Sequence, residues 1–106
     1  MTEEGDSLVE FCPVSRTAEI IQGKWMLLVI RDLSRGINRF SLLERSLQGI
    51  SPKTLSERLK TLEDLGVVTR KAYPEVPPRV EYTLTPMGQD LVPLIEHMRA
   101  YGEKWL

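Results

Sequence analysis

The sequence predicts a mainly α-helical domain closed by one β-hairpin. Three observations point there. Apolar residues recur at helical spacing in short segments that end at Gly23, Gly36, Gly49 and Gly66. The period then drops to two in "VVTRKAY" and "RVEYTLT", with the proline-rich "PEVPP" between them. Helical spacing returns after Thr85–Pro86. At 106 residues and 42% hydrophobic content, the chain fits one compact domain with a real core. A domain of this size gains stability from a partner subunit.

The elements follow in order. Residues 1–10, "MTEEGDSLVE", form an acidic N-terminal arm. In "CPVSRTAEIIQG", Ser15 is the expected N-cap of a first helix and Gly23 its stop. "KWMLLVIRDLSRG" is too apolar for a surface helix, so Trp25 to about Ser34 reads as the buried central helix. Trp25, Leu27, Leu28, Ile30, Leu33 and, further on, Phe40 are expected in the core. Asn38 is placed to cap "RFSLLERSLQ", which sets Phe40, Leu43 and Leu47 on one side before Gly49.

Ser51 caps the next helix and Pro52 opens it, where a missing N–H costs nothing. Leu55, Leu59, Leu62 and Leu65 make a single inward stripe. Lys53, Glu57, Lys60 and Asp64 point the other way, flanked by Thr54, Ser56 and Thr61. Gly66 ends this helix and the hairpin occupies 67–85. Thr85 caps a last helix over 86–106, kinked at Pro93.

Helix, short Gly-containing turn, helix is the helix-turn-helix pattern, whose second helix lies in a DNA major groove. Such a helix must be apolar inward and carry hydrogen-bonding groups outward. Lys53 reaches a phosphate or a guanine edge, and Thr54 and Ser56 bond phosphates or bases. The N-terminal dipole favours phosphate near Ser51. Glu57 accepts from a cytosine amino group or pairs with Lys53 or Lys60. A plain solvated amphipathic helix has the same pattern. The basic hairpin directly after it tips the balance, because a hairpin there is a wing that reaches backbone or minor groove. Arg79, beside "VPP", is expected to project from a rigid tip, while Arg70 and Lys71 read equally well as ordinary exposed strand residues.

Net charge is −1, yet residues 11–79 hold twelve Lys and Arg against seven Asp and Glu, a net of +5. Local charge, not the total, decides whether a surface neutralises phosphates. On the last helix Leu91, Ile95, Met98, Gly102 and Trp105 follow a 4,3,4,3 spacing, with Leu94 and Tyr101 alongside. That stripe fits a second copy of the same helix.

"CPV", "GKW", "RF", "GISPKTLSERLKTLEDLGVVTR", "PPRVEYTLTPMG" and the closing Trp together resemble the HxlR-type winged helix-turn-helix regulators of the MarR-like superfamily, over about residues 11–106. The resemblance implies a homodimer on double-stranded DNA that recognises a pseudo-palindromic operator and regulates transcription. It places the recognition helix at 51–65, the wing at 67–85, the dimerisation helix at 86–106 and Trp25 in the core. It also matches Cys12 to an N-terminal cysteine that senses oxidants or electrophiles in several members. Some of those sensors use a second cysteine, which this chain lacks. The helix start and Arg16 favour a reactive thiolate there, whereas apolar Phe11 and Val14 favour an inert, buried thiol.

Other function classes find little support. His97 has no acid or nucleophile at a telling spacing, the acids are scattered, and no Gly-rich phosphate loop occurs, so an enzyme is not expected. One Cys and one His make no zinc site, and no cofactor is implied. No effector is named by the sequence. No apolar run reaches ~18 residues, and the acidic N-terminus lacks the basic region of a secretory signal, so no membrane contact and a cytoplasmic location are expected. The competing function is a winged-helix module for protein–protein contact without sequence-specific DNA binding. Such modules lack base-reaching groups on the recognition helix, and Lys53, Thr54, Ser56 and Lys60 are present.

Overall fold

A computed structural model describes residues 12–106. The order is α1 (Pro13–Ile20), α2 (Lys24–Ser34), α3 (Phe40–Ser46), α4 (Pro52–Asp64), β1 (Val68–Tyr73), β2 (Arg79–Leu84), α5 (Pro86–Gln89) and α6 (Val92–Trp105). The acidic arm of residues 1–10 lies outside the described residues.

Helix α2 is the hub. Met26, Val29, Ile30 and Leu33, at i, i+3, i+4 and i+7, are buried, and the helix packs on α3, α4, α6 and β2. Trp25 departs from expectation. It is half-buried, with the Lys24 ammonium 4.6 Å from its ring, because Met26 takes the inward direction at that turn. Leu27, Leu28 and Phe40 are likewise half-buried, leaving Ile30 and Leu33 as the buried members of the expected set.

The expected helix starts shift by one to three residues. Cys12, not Ser15, is the N-cap of α1, because Pro13 already holds the φ of a first helical residue. Arg39, not Asn38, precedes α3. The Asn38 carbonyl instead accepts from the Tyr82 N–H at 2.9 Å, tying the start of α3 to the hairpin.

Between α3 and α4 the chain turns through Leu47 to Ile50. Both residues are buried, and the Ile50 N–H donates to the Leu47 carbonyl at 3.0 Å. Gly49 has φ +94°, a conformation that a side chain disfavours. Ser51 then caps α4 as expected, its Oγ accepting from the Thr54 N–H at 3.0 Å. Leu55, Leu59 and Leu62 have 0%, 1% and 0% exposure, each contributing about 1.5–3 kcal/mol of burial. The stripe stops there. Leu65 is the C-cap and 41% exposed, because Gly66 reverses the chain and Val67 and Val68 take the core position.

The hairpin pairs antiparallel from Val68↔Leu84 to Tyr73↔Arg79. At its foot the Thr85 N–H donates to the Val67 carbonyl at 3.0 Å, and the Thr85 Oγ1 accepts from the Gly88 N–H at 3.1 Å. The expected single last helix is two. Pro93 cannot donate to the Gln89 carbonyl, so α5 ends and α6 starts afresh with Pro93 in its first turn.

Candidate nucleic-acid interface

The turn of Leu47–Ile50 and the buried Leu stripe together fix which side of α4 faces outward. Ser51, Lys53, Ser56 and Lys60 are exposed on that side, with Thr54 half-buried among them. Their commitments differ. The Ser51 hydroxyl donates to Thr54 Oγ1 at 2.9 Å, so the first turn is preorganised. Lys53 makes no ion pair among the described residues, and nor does Glu57. Lys60 Nζ binds Asp64 Oδ1 at 2.9 Å, one turn on. The Asp64 carboxylate, through this hydrogen bond and its charge, holds the Lys60 ammonium above its ordinary pKa. The Thr61 hydroxyl donates to the Glu57 carbonyl and is spent on the helix itself.

Beside this face lies an open cleft of about 290 Å³ between α4 and the hairpin, lined by Ser56, Lys60, Glu63, Arg70 and Tyr82. Arg70 is exposed and free of ion pairs among the described residues. Two cations, two hydroxyls and the Glu63 carboxylate thus line this gap.

Arg79 stands differently from expectation. It does not project from the tip. Its guanidinium lies 3.9 Å above the Tyr73 ring and binds Glu75 at 2.9 Å and Glu81 at 3.5 Å. Glu81 also meets Arg39 at 3.9 Å, so the cluster ties the hairpin to the start of α3. The prolines at 77 and 78 turn the chain, and the cross-strand register sets Arg79 on Tyr73 before the side chain can reach outward. Arg70 and Lys71 are therefore the exposed cations of the strands, and Arg70, which the sequence left open between a wing contact and an ordinary strand residue, is the one that lines the cleft beside α4. Its signal was available. Arg70 precedes "KAY" by period-two alternation on the face opposite Lys71, but choosing that face needs the register with Tyr82.

The 4,3,4,3 stripe of the last helix divides in the structure. Leu91 and Ile95 pack on the domain's own core. Met98 and Trp105 are 46% and 64% exposed, with Tyr101 at 63% beside them and Gly102 half-buried. Val14 on α1 is exposed too, and it lines an apolar cleft with Pro13, Ala18, Ile21 and Leu94. One apolar surface therefore runs from α1 onto α6.

Cys12 sits at the start of α1 with partial exposure. Its carbonyl accepts from the Arg16 N–H at 2.9 Å, and its side chain makes no capping bond. No three His, Cys, Asp or Glu side chains converge as metal ligands among the described residues. No helix there is long and apolar enough to cross a membrane.

Comparison with known proteins agrees with this geometry. The HxlR-like helix-turn-helix family matches residues 20–106. An uncharacterised HTH-type transcriptional regulator of Synechocystis sp. is 42% identical over 95 residues, covering 90% of this chain and 70% of that protein. A chain from Porphyromonas gingivalis W83 described as a MarR-family transcriptional regulator is 45% identical with a TM-score of 0.87, covering 92% of this chain and 95% of that one. The redox regulator HypR in its oxidised form is 38% identical with a TM-score of 0.82, covering 88% of this chain and 96% of that one.

Proposed function

Because the chain belongs to the HxlR-like helix-turn-helix family of transcriptional regulators, we propose that it binds a pseudo-palindromic DNA operator as a homodimer, with α4 in the major groove and the hairpin as its wing. The observation that carries this reading is the outer face of α4, where Ser51, Lys53, Ser56 and Lys60 stand exposed around an uncommitted Lys53, beside the cleft shared with Arg70. Lys53 reads a base edge or a phosphate, and Lys60 and Arg70 grip backbone phosphates on either side of the cleft. Arg79 acts from within the wing, holding its shape through Tyr73, Glu75 and Glu81. In the dimer the two α4 helices stand roughly 34 Å apart, one DNA turn.

Selection from random duplexes tests this. A palindrome-like motif is expected to enrich, with affinity falling steeply as salt rises. Lys53→Ala is expected to weaken binding by about 1–3 kcal/mol and, if it reads a base, to relax preference at one position of each half-site. If no motif enriches, the alternative of a protein-contact module takes its place.

We also propose that Cys12 makes the regulator responsive to oxidants or electrophiles. The support is its partial exposure at the start of α1, beside the apolar surface offered to a second subunit, and the likeness to a redox regulator. Lacking a second cysteine, the thiol reacts by adding to a quinone, by oxidation to a sulfenic acid, or, with an oxidant such as diamide taking up two electrons and two protons, by forming a mixed disulfide with a small thiol or a bridge to Cys12 of the other subunit. Treatment with diamide or benzoquinone is expected to change operator affinity severalfold in wild type and not in Cys12→Ser. Equal responses in both proteins reject the sensor.

A further inference from the structure

Helix α4 carries three acidic residues, Glu57, Glu63 and Asp64. Two of them have local partners or surroundings. Asp64 binds Lys60 at 2.9 Å, and Glu63 lines the cleft shared with Arg70. Glu57 stands apart. It is exposed in the middle of the outward stripe, one turn after Lys53 and one turn before Lys60. It makes no ion pair among the described residues.

Each nearby group is engaged or wrongly placed. Lys53 precedes Glu57 by four residues, the weaker order for an ion pair on a helix, and the two remain apart. Lys60 follows in the favourable order but is held by Asp64. The Thr61 hydroxyl donates to the main-chain carbonyl of Glu57 at 2.9 Å, not to its carboxylate. Arg58 is an immediate neighbour in sequence and so points to another side of the helix. Glu57 also lies beyond the first turn, where the helix N-terminus favours acids. The fold therefore gives this carboxylate no partner.

A free carboxylate on a face turned to DNA is costly. Phosphates repel it, and entry into the groove strips its water. Only a donor on a base edge offsets that cost. The major groove offers two, the N4 amino group of cytosine and the N6 amino group of adenine. Adenine N6 adjoins the N7 acceptor of the same base, whereas cytosine presents its donor alone; guanine O6 and thymine O4 are acceptors that repel a carboxylate. We propose that Glu57 is a specificity-determining residue that accepts a hydrogen bond from a cytosine N4 amino group, fixing one C·G pair in each half-site. The inference rests on the DNA reading and adds to it the chemistry of one operator position. Glu57 works by exclusion, since the wrong base leaves its charge unpaired among phosphates.

Selection from random duplexes with wild type, Glu57→Ala, Glu57→Gln and Glu19→Gln tests the proposal, followed by titration of each protein with the enriched duplex and a scrambled one. Wild type is expected to fix cytosine at one position of each half-site, with any other base there weakening binding about tenfold. In Glu57→Ala that penalty is expected to fall below about twofold, while affinity for the scrambled duplex rises severalfold as the repulsion is removed. Glu57→Gln is expected to shift the preference at the same position towards adenine, which a carboxamide meets at N6 and N7. Glu19→Gln, on α1, makes the same net-charge change and is expected to alter neither preference nor affinity. Glu57 is exposed and unpaired, so its variants keep the fold. A motif that Glu57→Ala enriches with the wild-type preference at every position overturns the proposal and leaves DNA recognition by α4 standing. So does an equal change of affinity on both duplexes, the result of a general charge effect. If wild type enriches no motif, the DNA reading itself fails and this inference with it.

Discussion

Gly88→Ala is expected to destabilise the domain by about 3 kcal/mol or more, a large part of what a domain of this size has. Gly88 is buried at the start of α5. A Cβ placed there falls well inside contact distance of the Val67 carbonyl oxygen and 3.0 Å from Leu84 Cδ2. Neither neighbour yields cheaply. The Val67 carbonyl is held by the Thr85 N–H at 3.0 Å, and Leu84 closes the core beneath the hairpin. Relief requires the wing to separate from α5, breaking the Thr85 joint. Urea unfolding should show a lower midpoint with little change in slope. Gly102→Ala is the contrasting case. Its Cβ meets nothing within 4 Å, so within the isolated domain it should gain up to about 1 kcal/mol of helix stability. If the two variants unfold alike, the close approach at Gly88 is not what holds the wing.

Tyr101→Asp combined with Trp105→Asp is expected to convert the proposed dimer to a folded monomer. Both side chains are more than 60% exposed, and neither belongs to the core or packs against it. Two buried carboxylates per subunit, without partners, would oppose association by several kcal/mol. Light scattering at micromolar concentration should report half the mass, with helix content retained. Operator affinity should fall roughly hundredfold or more, because each half-site must then be bound separately. Deleting everything from Leu91 is a poorer test. Leu91, Val92 and Ile95 pack against the core, so that truncation would strip the fold together with the interface. A wild-type monomer, or a variant that still dimerises, refutes an interface through the outer half of α6.

Much of this was legible in the residue pattern because it depends on neighbours in sequence. The Ser51–Pro52 start of α4, the Leu55–Leu59–Leu62 stripe and the switch to period two are local, and the structure has all three. Errors of one to three residues arose where two local signals competed. Pro13 outranked Ser15 as the start of α1, and Pro93 divided a helix that hydrophobic spacing alone would run through.

What the sequence by itself determined is the fold class, the inward and outward faces of α4, and the family, since helical period, caps and turn glycines act over a few residues. Which charges remain free was decided only by tertiary structure. Along the chain Arg79, beside its prolines, reads as the better contact and Arg70 as an ordinary strand residue, yet cross-strand pairing sets Arg79 on Tyr73 between two carboxylates and leaves Arg70 open beside Ser56 and Lys60. The last helix divides in the same way. Its stripe is continuous in sequence, but α2 covers only the Leu91–Ile95 end, and the outer turns carry Met98, Tyr101 and Trp105 into solvent. A side chain's partner across a fold lies tens of residues away in sequence, and only packing in three dimensions brings the two within the few ångströms over which ion pairs and apolar contacts act.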